Sequence, residues 1–344
     1  MQQATDTREL IDVEVLGLRL RGTFHRPARS SAVMRSGSAD QGRTAILFLN
    51  SLALPRAATG DSAVYWADAF AGRGYPAFRF DLPGLGDSDG ETSTGLLDFI
   101  NAGGYAPSAV ALAEELAARA EISGVVIMGH CAGAVTAVFA AAACEQCKGL
   151  ILMDPYFHLL AAKRPELRER LSDWVRRSSI GRTLSNLYDR AKVVRLFLRG
   201  SAPPGNANVA LLSKWKQVAG AGLPILMFKA PGIKATGSKP RLGEFDYIQH
   251  VLKLAGRKGR VMVNIVEKAD HSFANRAGRE AVRQEIESWL DRYFPLQSFQ
   301  TIAQPASLST VSRSPASPTH GAMNTASGDE AANSLTCYAR LSGR

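Results

Sequence analysis

At 344 residues and 46% hydrophobic content, the chain is long enough for one large domain with an insertion or for two domains. It has no run of 18 apolar residues, which argues against a membrane span. The opening Met1-Gln-Gln-Ala-Thr-Asp6 has neither the basic start nor the apolar stretch of a secretory signal. Four cysteines, at 131, 144, 147 and 337, are too few and too uneven for a disulfide framework, so a reducing, cytoplasmic compartment is expected. The net charge of +10 is uneven. Between Pro155 and Gly200, eleven Lys or Arg stand against four Asp or Glu, a local excess of seven positive charges. Such a block attracts anions, although a solvated helical face reads the same way.

In chain order, residues 11–26 read as two strands meeting at Leu16-Gly17, and 27–43 as a loop rich in Ser, Arg, Gly and Ala. Residues 44–49 form a short apolar strand, followed by a loop at 50–55. Residues 61–73 place Val64, Tyr65, Trp66, Ala69 and Phe70 at helical spacing. A strand at 75–80 runs into the turn-rich stretch Asp81 to Gly90. A helix is predicted over 106–120, then a strand at 125–128, a helix over 134–144 and a strand at 149–153.

Residues 156–217 break this rhythm. They are helical in pattern, basic, and carry Tyr156, Phe157, Trp174, Tyr188, Phe197 and Trp215, so they read as an insertion. The alternation resumes with a strand at 224–228, an irregular loop at 229–243, a helix at 245–254, a strand at 260–266 and an amphipathic helix at 276–293. It predicts a mainly parallel sheet covered on both faces. From about residue 297 the chain is Ser, Thr, Ala, Pro and Asn without hydrophobic period, and reads as a disordered tail.

The chemistry centres on Gly129-His-Cys-Ala-Gly133. An apolar strand precedes it and an alanine-rich helix follows. Strand, G-x-nucleophile-x-G turn and helix together make a nucleophile elbow, here with Cys131 at its centre. Read blandly, Cys131 is a buried structural thiol. Cys144 and Cys147 form a C-x-x-C without a second Cys or His pair at matching spacing, so no metal site is expected. No G-x-G-x-x-G lies between a strand and a helix, and no cofactor is expected.

With GHCAG at 129–133, DLPGLGDS at 81–88 and DHSF at 270–273 in this order, the chain resembles the α/β-hydrolase superfamily over about residues 11–294. The arrangement is similar to lid-bearing hydrolases and exosortase-associated hydrolases. Its elbow cysteine is similar to that of dienelactone hydrolases and of acyl-CoA thioesterases and acyltransferases. The resemblance implies an α/β-hydrolase fold with core halves at 1–155 and 218–296, a helical lid at 156–217 and a tail at 297–344.

It also implies site roles. Cys131 attacks an acyl carbon, with His271 as its base, since this fold keeps a histidine on the loop after its last strand. The fold usually keeps an acid just after the strand at 224–228, but Lys229-Ala-Pro-Gly-Ile-Lys234 has none. Glu244 is the first candidate, followed by Asp154 at the end of the preceding strand and then Asp246. A Cys-His pair without an acid stays open. Asp270 is expected to shape the histidine loop, and the 81–90 loop to be structural. The oxyanion hole is expected from the backbone N–H of Ala132 and of Leu52, with Ser51 as runner-up; Asn50-Ser51 departs from the family's His-Gly pair.

The expected activity is hydrolysis of a thioester, ester or lactone through an acyl-enzyme. The alternatives are acyl transfer from coenzyme A or an acyl carrier protein to an amine or alcohol, and a non-catalytic binding protein. The basic insertion suits CoA phosphates or an acidic carrier. No recognition motif accompanies it, so nucleic acid is not expected as a partner.

Overall fold

The structure is a computed structural model that describes residues 7–28, 43–119, 122–159, 203–231 and 245–296. The expected tail and the bulk of the expected insertion, residues 160–202, lie outside them, as does Glu244.

The chain opens with β1 (Arg8–Val15) and β2 (Leu18–His25), an antiparallel hairpin closed by two residues of positive φ, Leu16 (52°) and Gly17 (77°). A two-residue turn with both φ positive matches the right-handed twist of its strands. Then follow β3 (Arg43–Leu49), α1 (Ser62–Arg73), β4 (Ala77–Phe80), a short α2 (Leu96–Asn101), α3 (Ala106–Ala117), β5 (Ile122–His130), α4 (Ala132–Ala141) and β6 (Cys147–Met153). After residues 160–202 come α5 (Val209–Gly220), β7 (Pro224–Lys229), α6 (Tyr247–Ala255), β8 (Arg260–Ile265) and α7 (Arg276–Tyr293).

The eight strands form one sheet in the order β1-β2-β4-β3-β5-β6-β7-β8. The pairs β1/β2 and β2/β4 are antiparallel and the rest parallel. Strand alternation splits the core between the two faces. Leu47, Leu49, Val125, Ile127, Leu150, Leu152 and Met227 pack with α3, α4, α5 and α6. Ile46, Phe48, Val126, Met128, Ile151, Met153 and Phe228 face α1 and α7. Helix α4 is buried from Ala132 to Ala140, as expected of a helix that is apolar all round.

The C-terminal end of the expected insertion, 156–217, falls on described residues. Residues 209–217 belong to α5, whose Trp215 is fully buried and donates from its indole N–H to the Val251 carbonyl at 2.7 Å. On either side of residues 160–202, His158 bridges Ala207, the Leu159 N–H donates to the Asn206 carbonyl (2.7 Å), and the Asn208 N–H donates to the Phe157 carbonyl (2.9 Å).

Strands β3 and β5 are neighbours in the sheet, although β4 lies between them in sequence. Connections run away from this point on both sides, so the carboxyl ends of β3 and β5 open a crevice, where sheets of this kind bind ligands.

Candidate active site

Strand β5 runs straight into α4, and Cys131 makes the bend with φ 51° and ψ −110°. A non-glycine residue at positive φ is strained, and such strain persists only where the surroundings enforce it. Here the Cys131 N–H donates to the Met153 carbonyl at 2.8 Å, and the two glycines of the motif allow the close approach. A Cβ on Gly133 would sit 2.2 Å from the Leu49 carbonyl oxygen, and one on Gly129 would sit 2.4 Å from that of Gly133. The glycines let α4 lie against the end of β3. Cys131 stands at the N-terminus of α4, where the helix dipole favours an anion.

His271 lies on the loop after β8. The Phe273 N–H donates to the Asp270 carbonyl (3.1 Å), the Ser272 hydroxyl donates to the Asp270 carboxylate (2.7 Å), and Phe273 is fully buried at φ 52°. Asp270 thus shapes the loop. His130 points away from the nucleophile. Its Nε2–H donates to the His271 carbonyl at 2.7 Å, and burial lowers its pKa to about 4, so the ring is neutral.

The structure brings Cys131, His271 and Asp154 together. His271 Nδ1 is hydrogen-bonded to Asp154 Oδ2, and its other nitrogen is left for Cys131. Asp154 follows the last residue of β6, has no exposed side-chain surface and has φ 47°. Its other oxygen, Oδ1, takes a salt bridge from Lys229 Nζ at 2.5 Å. Asp154, the second candidate for the acid, is the described carboxylate bonded to His271, because β6 ends beside the histidine loop; Glu244, the first candidate, lies outside the described residues. Asp246 is employed elsewhere, capping α6 by accepting from the Gln249 N–H at 2.9 Å.

Electrostatics follow from these partners. The hydrogen bonds to Asp154 and Cys131 outweigh burial and raise the His271 pKa to about 10. Burial pushes the Cys131 thiol up, but hydrogen bonds with His271 and Ser51, the charge of His271 and the Ala132 N–H bring it below its ordinary value. The two shifts run in the same sense, each favouring the charged form of its own group. Burial opposes ionisation of Asp154, but His271 and Lys229 hold its carboxyl below the usual range.

Leu52 stands in the left-handed region (φ 45°) on the loop after β3, and Ser51 beside it is buried. The sequence offered Ser51 only as a backbone donor, and the hydroxyl contact with Cys131 was not foreseen. Arg56, further along this loop, donates to Asp81 (2.5 Å) and Asp87 (2.8 Å), so the 81–90 loop braces the crevice and takes no place in the Cys131–His271 row. Lys229 was likewise missed as a site residue; the signal was a lysine where the fold usually keeps an acid. Tyr156, two residues after Asp154, is buried, and its hydroxyl has no partner among the described residues. Cys144 and Cys147 are buried, and burial pushes both thiols up, Cys147 to about 12.

Residues 46–285 match the family model described as the alpha/beta hydrolase family. The chain belongs to that family. No curated protein matches it in sequence. Among solved structures it is similar to DcsB in complex with its substrate analogue, at 14% identity and TM-score 0.54, covering 83% of this chain and 99% of that one. It is similar to the alpha/beta hydrolase GrgF from Penicillium sp. sh18, at 16% and 0.54, covering 84% and 99%. It is also similar to an esterase of Pyrococcus furiosus, at 13% and 0.53, covering 83% and 91%. At these identities the likeness is one of fold. Among the described residues no helix is long and apolar enough to cross a membrane.

Proposed function

We propose that this member of the hydrolase family cleaves an ester, thioester or lactone through an acyl-enzyme on Cys131. The observation that carries the reading is a strained elbow thiol whose pKa His271 helps to lower, with His271 itself hydrogen-bonded to a buried carboxylate.

In the first half, the Cys131 thiolate attacks the acyl carbon. The oxyanion that forms takes the backbone N–H of Ala132, already directed at the sulfur, and that of Leu52. The His271 imidazolium gives its proton to the leaving alkoxide or thiolate, and a Cys131 thioester is left. In the second half, neutral His271 takes a proton from water as the water attacks the thioester. Collapse expels the thiolate, releases the acid and restores the imidazolium. Asp154 keeps Nδ1–H in place and supports the charged ring through both halves.

The carrier of the acyl group is read from charge. The excess of seven positive charges between Pro155 and Gly200 supports an anionic carrier, coenzyme A or an acyl carrier protein. Turnover of an acyl-CoA then falls steeply with salt while that of a small uncharged ester does not, and equal responses would remove the carrier from this reading.

Intact-protein mass after brief mixing with acyl-CoAs and p-nitrophenyl esters tests the core proposal. An acyl adduct present in the native chain and lost in Cys131→Ala supports it. Turnover that survives Cys131→Ala overturns it. The fate of the adduct, with water or with added amines and alcohols, separates hydrolysis from transfer.

A further inference from the structure

Among the described residues a fourth ionisable group, Lys229, joins Cys131, His271 and Asp154. Lys229 is the last residue of β7 and is 1% exposed, a rare position for a lysine. Its ammonium donates to Asp154 Oδ1 at 2.5 Å and to the Pro155 carbonyl at 3.0 Å. His271 and Lys229 thus meet different oxygens of the Asp154 carboxylate. From elbow to β7 the charges alternate: thiolate, imidazolium, carboxylate, ammonium.

Stability alone does not account for this lysine. Two ions taken out of water pay a desolvation penalty that their attraction roughly offsets, and apolar residues of similar volume would often serve a fold as well. The location does account for it. Thiolate, imidazolium and carboxylate by themselves would leave the row with a net negative charge, which opposes an anion at Cys131. An ammonium on the far oxygen of Asp154 removes that excess without touching the imidazole, and adds a buried contact that holds the carboxylate. The titratable groups around it are Asp154 and His158 on the segment after β6, Cys131 on the elbow and, through Asp154, His271.

We propose that Lys229 is a positioning residue of this site, which locks the Asp154 carboxylate for His271 and neutralises the row so that Cys131 carries its negative charge at neutral pH. The proposal rests on the Cys131–His271 reading above.

The test is iodoacetamide alkylation of Cys131 against pH, followed by peptide mass, which needs no substrate. Removing a buried cation raises the pKa of every group near it. In Lys229→Met the alkylation midpoint of Cys131 is expected to move up by roughly half a unit to one unit, so the rate below the midpoint falls about three- to tenfold. Where a substrate is in hand, both limbs of the kcat/KM profile are expected to move to higher pH. A lysine that only fills space would lower activity without moving either limb. Lys229→Met with an unmoved alkylation midpoint overturns the proposal.

Should Lys229→Met not fold, Asp154→Asn and Asp154→Asn/Lys229→Met decide. The single variant leaves the ammonium buried without its counter-charge, so the double is expected to melt higher and to have the higher Cys131 midpoint. A double that melts no higher than the single, or has the same midpoint, also overturns it. A native Cys131 no more reactive near neutral pH than an ordinary thiol would instead refute the acyl-enzyme reading on which this rests.

Discussion

Among the described residues there are two histidine–carboxylate pairs, and their environments drive them in opposite directions. At the hairpin end of the sheet, His25 Nδ1 lies 2.7 Å from Asp68, as His271 Nδ1 is bonded to Asp154 at the crevice. Each pair has a cation beside it, yet His25 is lowered to about 4 and His271 raised to about 10. Burial is the main cause at His25, and the charge of Arg79 is the next. Arg79 donates to His25 Nε2 at 2.8 Å, so that nitrogen must accept and the ring must stay neutral. At His271 the second nitrogen meets a thiol that can give up its proton, and the cation sits on the far side of the carboxylate. The carboxylate partner alone does not set the direction of the shift. Burial and what faces the other nitrogen do.

Several variants would break or sharpen this contrast. The largest effect is expected from Cys131→Ala and His271→Ala, each losing on the order of 10⁴-fold or more in kcat, because the two groups act as a unit. The matched change His25→Gln is expected to leave kcat within a few-fold of native and to lower the melting temperature. A His25→Gln chain that folds fully but is as inactive as His271→Ala would end the comparison.

Next is Asp154→Asn, expected to lower kcat by roughly 10²- to 10⁴-fold through loss of the ring's orientation and charge support, while Asp68→Asn affects melting alone. Equal kcat losses in the two carboxamide variants would show that the pairs are not functionally distinct.

The pairs also separate by pH. With substrate, the rate is expected to hold until about pH 10 and to fall above it as His271 loses the proton that the leaving group needs. An alkaline limb near 7 would contradict the thiolate–imidazolium pair. For His25 the linkage has the opposite sign. The unfolded histidine binds a proton below about 6.5 and the folded one only near 4, so folding stability falls as pH drops from 6.5 to 4. His130, also lowered to about 4, adds to the same loss. Urea midpoints over this window are expected to depend less on pH in His25→Gln, and an unchanged slope would refute the assignment. The smallest effect is expected from Asp246→Ala: loss of the α6 cap costs about 1 kcal/mol in a urea melt and leaves kcat unchanged.

Much of this was legible in the residues because the signals are local. The G-x-C-x-G between an apolar strand and an alanine-rich helix marked the elbow, since only glycines permit that approach of helix to strand. Period-2 and period-3.6 patterns marked most strands and helices because each element buries one face. The short helix Leu96–Asn101 escaped because six residues show too little of any period. His271 was expected from its loop after the last strand, and the structure places that ring against Asp154.

By itself, then, the sequence determined the class of fold, the order of its elements, the strand-to-helix elbow at Cys131 and the histidine loop after the last strand. All of these are written in patterns a few residues long. Only the tertiary structure decided which carboxylate His271 holds, that Ser51 uses its hydroxyl, that residues 209–217 belong to the core, and that Lys229 completes the row. His271 and Asp154 are 117 positions apart, and Lys229 and Asp154 are 75 apart. Their meeting depends on β5, β6, β7 and β8 lying side by side with parallel carboxyl ends, and no local pattern encodes which loops that adjacency brings together.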